Sequence, residues 1–142
     1  MSNSLIHGEL TGKIIKAFYD VYNQLGYGFL ENVYENALVH ELRKRGHSVT
    51  QQAPISVRYD TIIVGEYFAD MLVDGTVIIE LKRADRINKA HVAQLLNYLK
   101  ATDMEVGLVL NFGPKPEFRR KVFTQAKKNQ RRSAKSALSA LS

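Results

Sequence analysis

The sequence contains no cysteine, which excludes disulfides, thiolate zinc clusters and cysteine nucleophiles together. It has no window approaching the run of about 18 apolar residues that a membrane-spanning helix needs. Met1 to His7 are polar, without the apolar stretch of a secretory signal. The expected protein is soluble and cytoplasmic. Several chemical signatures are missing as well: a glycine-rich phosphate loop, a serine in a Gly-x-Ser-x-Gly turn and a dinucleotide fingerprint. Gly26 and Gly28 imitate part of the last, but they follow a helical pattern instead of a strand and read as helix punctuation.

Negative charge is in short supply. Fourteen Asp and Glu stand against twenty Lys and Arg, a formal charge of +6, which favours polyanionic partners through long-range attraction to phosphates. The excess is concentrated between Lys115 and Lys135, where nine bases face the single acid Glu117. That stretch is either a solvated tail or a phosphate contact. With 142 residues the chain suits one domain, able to bury roughly two thirds of its unfolded surface.

Helical periodicity runs from Leu10 to Leu25, with Thr11 as a candidate N-cap and Gly26 placed to stop the helix. A second helix is expected from about Phe29 to Arg45, with Leu30, Val33, Tyr34, Ala37, Leu38 and Leu42 inward and Gly46 after it. The pattern then turns to strands: within Ser48 to Tyr59, at an edge because of Pro54, then Ile62 to Val73, then Thr76 to Lys82. A third helix near Asn88 to Ala101 leads to Val106–Phe112, an apolar run typical of a strand covered on both faces. Strand, helix and strand imply a parallel pair with a right-handed crossover. The expected fold is α/β, order ααβββαβ, with a four-stranded mixed sheet flanked by helices. After Pro114 and Pro116 a last helix is expected from Glu117 to about Asn129. This gives a domain over 1–129 and a basic, disordered tail over 130–142.

The residues that carry chemistry are Asp70 and, after nine intervening residues, Glu80-Leu81-Lys82. Alternation along a strand puts Glu80 and Lys82 on one face, roughly 6.5 to 7 Å apart. A two-residue Asp74-Gly75 turn would leave Asp70 on the opposite face. A three-residue loop, Val73-Asp74-Gly75, or a compensating bulge, would return it to the face of Glu80. Two converging carboxylates repel, and a hard divalent cation, Mg²⁺ or Mn²⁺, relieves the repulsion. Such a cation polarises a phosphodiester and activates a water, while Lys82 orients the nucleophile or stabilises the transition state. The plain alternative is an ion pair between Lys82 and either acid.

A third acid, Glu31, shares a helix face with Tyr34. It either completes a metal shell or simply answers the dipole of its helix. His91, Gln94 and Tyr98 form a polar stripe on the third helix; they are candidates to contact phosphate or nucleophile, against the alternative of an ordinary solvated helix flank, which weighs more for His91 than for Gln94 and Tyr98. His7, His40 and His47 lack metal-ligand spacing.

Gly28-Phe29-Leu30-Glu31-Asn32-Val33-Tyr34 resembles the signature of the GxxExxY proteins, a group placed in the PD-(D/E)XK nuclease superfamily. The likeness continues through Phe68 to Val73, Ile79 to Lys82, Gln94 to Leu99 and Gly107 to Phe112. It implies Asp70 and Glu80 as metal ligands, Lys82 as the catalytic lysine, Glu31 as a helix-borne acid of the same site, and Gln94 with Tyr98 as the helix motif of RecB-type nucleases. The function it implies is a metal-dependent nuclease, on DNA ahead of RNA. A non-catalytic nucleic-acid or protein-binding module keeping the same fold is the alternative, and a pocket for another phosphate ester is a third reading. So small a domain offers limited surface for grasping a duplex, which makes a homodimer an admissible assembly.

Overall fold

The computed structural model describes residues 6–131. In chain order it has α1 (Gly8–Leu25), α2 (Glu31–Lys44), β1 (Val49–Tyr59), β2 (Ile62–Val73), β3 (Val77–Lys82), α3 (Lys89–Ala101), β4 (Val106–Phe112) and β5 (Pro116–Val122). Residues 125–131 then form a fourth helix, α4. The five strands make one sheet in the order β1-β2-β3-β4-β5. Only β3 and β4 run parallel, joined through α3, and every other neighbour pair is antiparallel.

The mixed α/β sheet is as expected, but it has five strands where four were expected. The helix expected over Glu117 to Asn129 is instead strand β5, with helix only from 125. The reason is tertiary. β4 is an apolar strand buried throughout, and its free edge would leave backbone groups unpaired away from water. Pro116–Val122 covers that edge in continuous register, Phe112 opposite Pro116 through Val106 opposite Val122. Pro116 is tolerated as the first residue of an outer strand, and Arg119, Arg120 and Lys121 blunt the new edge. Of the expected tail, 132–142 lie outside the described residues.

Two cores sandwich the sheet. One, on the α1 and α2 side, gathers Phe18, Tyr34, Leu38, Met71, Ile79, Leu81, Leu108 and Phe112. The other, on the α3 side, gathers Ile78, Leu95, Tyr98, Leu99 and Val109 with Ala53, Ile55 and Ala69. The close approach of α3 explains Gly107: a Cβ there would lie 2.5 Å from Leu95 Cδ1 and 3.2 Å from the Ile78 carbonyl.

Two helix starts differ from expectation. Thr11 does not cap α1, which begins three residues earlier at Gly8; its hydroxyl donates back to the Gly8 carbonyl (3.2 Å) from within the first turn. α2 begins at Glu31, so Leu30 sits before the helix and is 69% exposed instead of inward.

Candidate active site

The site lies where β2 leaves β3. Their ladder covers only Met71–Val73 against Val77–Ile79, although β2 continues back to Ile62 and β3 forward to Lys82. The hairpin is a three-residue loop, as expected, but displaced by one position: Val73 faces Val77, and Asp74-Gly75-Thr76 close the turn. Asp74 (φ 52°) and Gly75 (φ 61°) are both left-handed, and the Thr76 amide donates to the Val73 carbonyl (2.9 Å). Extending that register sets Asp70 opposite Glu80, on the same side.

The ladder ends there because the side chains take over the backbone groups. The Asp70 amide donates to Glu80 Oε1 (3.0 Å), and the Leu81 amide donates to Asp70 Oδ2 (2.7 Å). Each carboxylate therefore binds the opposing strand's backbone and wedges the strands apart. Beyond this fork, β2 continues with β1 as a two-stranded ribbon. The ribbon also rolls over: Met71 belongs to the α1/α2 core, while Ala69, two residues earlier, belongs to the α3 core.

Glu80 is buried, 4% exposed. Burial and then the charge of Asp70 push its carboxyl up to about 8, with Lys82 and the Asp70 amide opposing the rise. Asp70 is half-buried and raised in the same sense, burial leading, with the Leu81 amide as the largest opposing influence. Near neutrality the pair therefore holds on to a proton. Lys82 faces these acids electrostatically, yet among the described residues it makes no ion pair within 4.0 Å, so the plain salt-bridge alternative finds no contact.

Glu31 opens to solvent at the first position of α2. Its carboxyl is raised by desolvation and next by Asp70, with Lys82 opposing, which puts it within the electrostatic reach of the fork. Tyr34, its partner in the motif, is fully buried and structural. Its hydroxyl donates to the Gly26 carbonyl (2.5 Å) and accepts from the Phe29 amide (3.2 Å), and its ring stacks on Phe112 at 4.5 Å. That clamp fixes the loop delivering Glu31.

On α3, Gln94 Nε2 donates to the Tyr98 hydroxyl (2.8 Å). Tyr98 is 5% exposed, and its hydroxyl is shifted upward by burial and then by Glu80, so it lies within the electrostatic reach of the fork with Gln94 bonded to it. His91 has a local role. It accepts from the Asn88 amide (3.2 Å) while Asn88 Oδ1 accepts from the His91 amide (3.0 Å), a reciprocal capping box at the start of α3. The loop after Lys82 is held from β4: Asn111, fully buried, accepts from the Ala84 amide and donates to the Ala84 carbonyl, both at 2.9 Å.

The sequence matches the family model described as the PD-(D/E)XK nuclease superfamily over residues 8–121. The chain belongs to that superfamily. Membership supports nuclease activity in general, and nucleases of this superfamily generally use divalent metal ions. Among solved structures, this superfamily member is similar to an alkaline exonuclease (LHK-Exo) from Laribacter hongkongensis, with TM-score 0.51 and 17% identity over 77% of this chain and 64% of that one. It is also similar to the crystal structure of SSO0001, with TM-score 0.50 and 18% identity over 97% of this chain and 70% of that one. The chain thus spans under two thirds of the exonuclease's length, and at these identities the likeness is one of fold. No curated protein matches the sequence.

The fork suits a hard cation. Two desolvated carboxylates side by side form the oxygen donor set that Mg²⁺ takes when waters and a substrate phosphate fill its other positions. Among the described residues no cluster of three or more His, Asp or Glu side chains is arranged to hold a metal; Asp70 and Glu80 are the converging pair, and Glu31 stands outside it.

Two residues at the fork escaped the sequence reading. Glu35 shares a face with Glu31 at i, i+4, and an unfavourable pair of like charges at that spacing was the available signal. Gln51 Nε2 donates to it (3.0 Å), and Gln52 Nε2 lies 3.2 and 3.3 Å from its two oxygens. Gln52 stands opposite Asp70, between the pairs Gln51/Met71 and Ala53/Ala69. It is held at φ 50°, a region costly for a non-glycine residue within a strand. Its side chain also tempers the rise at Asp70. Nothing in the local sequence announces that conformation.

Proposed function

We propose that this chain is a Mg²⁺- or Mn²⁺-dependent nuclease of the GxxExxY group that hydrolyses phosphodiester bonds, of DNA ahead of RNA. The observation that carries the reading is the fork: two carboxylates forced together in a desolvated cleft, one of them pushed up to about 8, with no lysine salt bridge among the described residues to neutralise them. A structural pair gains nothing from that arrangement, whereas a phosphodiesterase needs it. Bound there, a divalent cation supplies a Lewis acid and a water of lowered pKa.

The chain's own residues divide the rest of the work. Asp70 and Glu80 hold the cation, while Glu31 adds negative charge from the helix side. Lys82, on the face of Glu80, meets the charge that builds on the phosphate oxygens. The Gln94 amide and Tyr98 hydroxyl donate hydrogen bonds to the phosphate or the attacking water.

The test is calorimetric titration of Mg²⁺ and Mn²⁺ into the wild type and Glu80→Gln, then incubation with labelled single-stranded, duplex and branched DNA. Uptake and cleavage lost together in the variant support the reading. A Glu80→Gln protein that cleaves as fast as wild type would falsify the assignment, and absence of metal uptake even with DNA present would leave a binding module on a nuclease fold.

A further inference from the structure

Where the ribbon rolls away from the sheet, it leaves a groove of about 810 Å³ between itself and α3. Ser56, Arg58 and Tyr67 line the ribbon side. On the α3 side, the small residues Ala90, Ala93 and Ala101 keep the walls apart.

Charge in the groove has one sign. Arg58, Lys100 and Arg131 line it, and no Asp or Glu does. None of the three makes an ion pair among the described residues. Lys100 and Arg131 each lie 5.9 Å from the centre of the Phe123 ring, which steadies both while leaving their charge uncompensated.

The groove also offers a ring. Tyr67 is 49% exposed, with its centroid 5.9 Å from that of Tyr98 at a 44° tilt. Gln94 and Tyr98 line this same groove, and Tyr98 feels the charges of Glu80 and Asp70. The groove thus ends on Tyr98, within the electrostatic reach of the fork.

Cations with no acidic partner, beside an exposed aromatic face, match the chemistry of single-stranded nucleic acid, whose phosphates seek charge and whose bases present open π-faces. In a duplex those faces are already stacked on one another. We propose that the groove between the ribbon and α3 binds an unpaired nucleic-acid strand, with phosphates on Arg58 and Lys100 and a base on Tyr67, and feeds it toward Asp70 and Glu80. This rests on the nuclease reading and narrows its substrate.

The experiment is fluorescence anisotropy of the full chain in EDTA, where cleavage is silent, with labelled oligo(dT) and a blunt duplex of equal length across a salt series. Oligo(dT) should bind the more tightly. Arg58→Ala/Lys100→Ala should flatten the logarithmic salt dependence by about 1.4, two phosphate contacts at ~0.7 each. Tyr67→Ala should weaken binding roughly 5- to 150-fold, the scale of one stacked base, and Tyr67→Trp should restore it. Thermal melts confirm that each variant is folded, and the tryptophan rescue separates stacking from stability. Equal affinity for duplex and oligo(dT), unchanged in these variants, overturns the groove proposal. If wild type still takes up Mg²⁺ and cleaves DNA in that case, the nuclease reading stands without it; if it does neither, both fall.

Discussion

β3 treats its two neighbours differently. With β4 it pairs along its whole length, Val77–Lys82 against Val106–Asn111, and apart from Glu80, Lys82 and Asn111 the seam between them is apolar and buried. With β2 it pairs over three residues and then parts, carboxylates occupying the gap. On one side the hydrogen bonds are backbone to backbone; past the end of the ladder on the other they run from backbone amide to carboxylate. The second arrangement holds charge where a ladder would have excluded it, so the seam should carry stability and the fork function.

The largest expected effect is at the fork. Glu80→Gln should lower metal-dependent cleavage by at least about 10³-fold, measured with labelled DNA under saturating Mg²⁺. The same variant should be more stable without metal. Glu80 folds with its carboxyl raised from 4.5 to about 8, so the folded state binds the extra proton and loses stability as pH rises from about 4.5 through about 8. Gln, which cannot ionise, escapes that loss, on the order of 3 kcal/mol at neutral pH. Urea unfolding in EDTA at the two ends of that window checks it; a variant no more stable than wild type at the alkaline end would break the contrast between fork and seam.

At the seam the signs reverse. Leu110 is fully buried, and Leu110→Ala should cost about 2–5 kcal/mol while the fraction that remains folded cleaves normally. Chemical denaturation paired with activity per folded molecule separates the two quantities. A loss of specific activity matching that of Glu80→Gln would mean that seam and fork are not separable.

Gln52→Gly sharpens the boundary. Glycine accepts φ 50° freely, so stability should hold or rise by up to about 1 kcal/mol. Loss of the amide beside Glu35 and Asp70 should weaken Mn²⁺ uptake roughly tenfold, read by calorimetry against Gln52→Asn. The smallest effect belongs to His91→Ala, which opens the capping box of α3. About 0.5–1 kcal/mol of stability should go, with cleavage hardly altered; a large drop in turnover would move His91 into the chemistry.

Much of this architecture was legible because it is local. Hydrophobic periodicity places α1, α2 and α3, and β2 and β4 begin and end at the residues expected. The pairing of Glu80 with Lys82 follows from alternation on a strand. The prediction that Asp70 joins them needed only the requirement of an odd-numbered loop, and the loop kept that parity while sliding one residue.

What was not legible depends on distant partners. Pro116–Val122 is a strand because β4 needs an edge covered, and no residue within the segment carries that demand. Leu30 is exposed because Tyr34 anchors the loop before it. Gln52 is left-handed because the ribbon must turn over opposite Asp70, and Glu35 joins the fork only once α2 is packed beside that turn.

The sequence by itself determined the order of the elements from α1 through β4, the apolar core of the seam and the Asp70, Glu80 and Lys82 spacing, since periodicity and spacing act between residues close along the chain. Tertiary structure alone decided the fifth strand, the wedge between β2 and β3, and the cationic groove beside it. Those arise where unpaired backbone groups and buried charges must find partners from other segments, and that accounting closes only when the whole chain is folded.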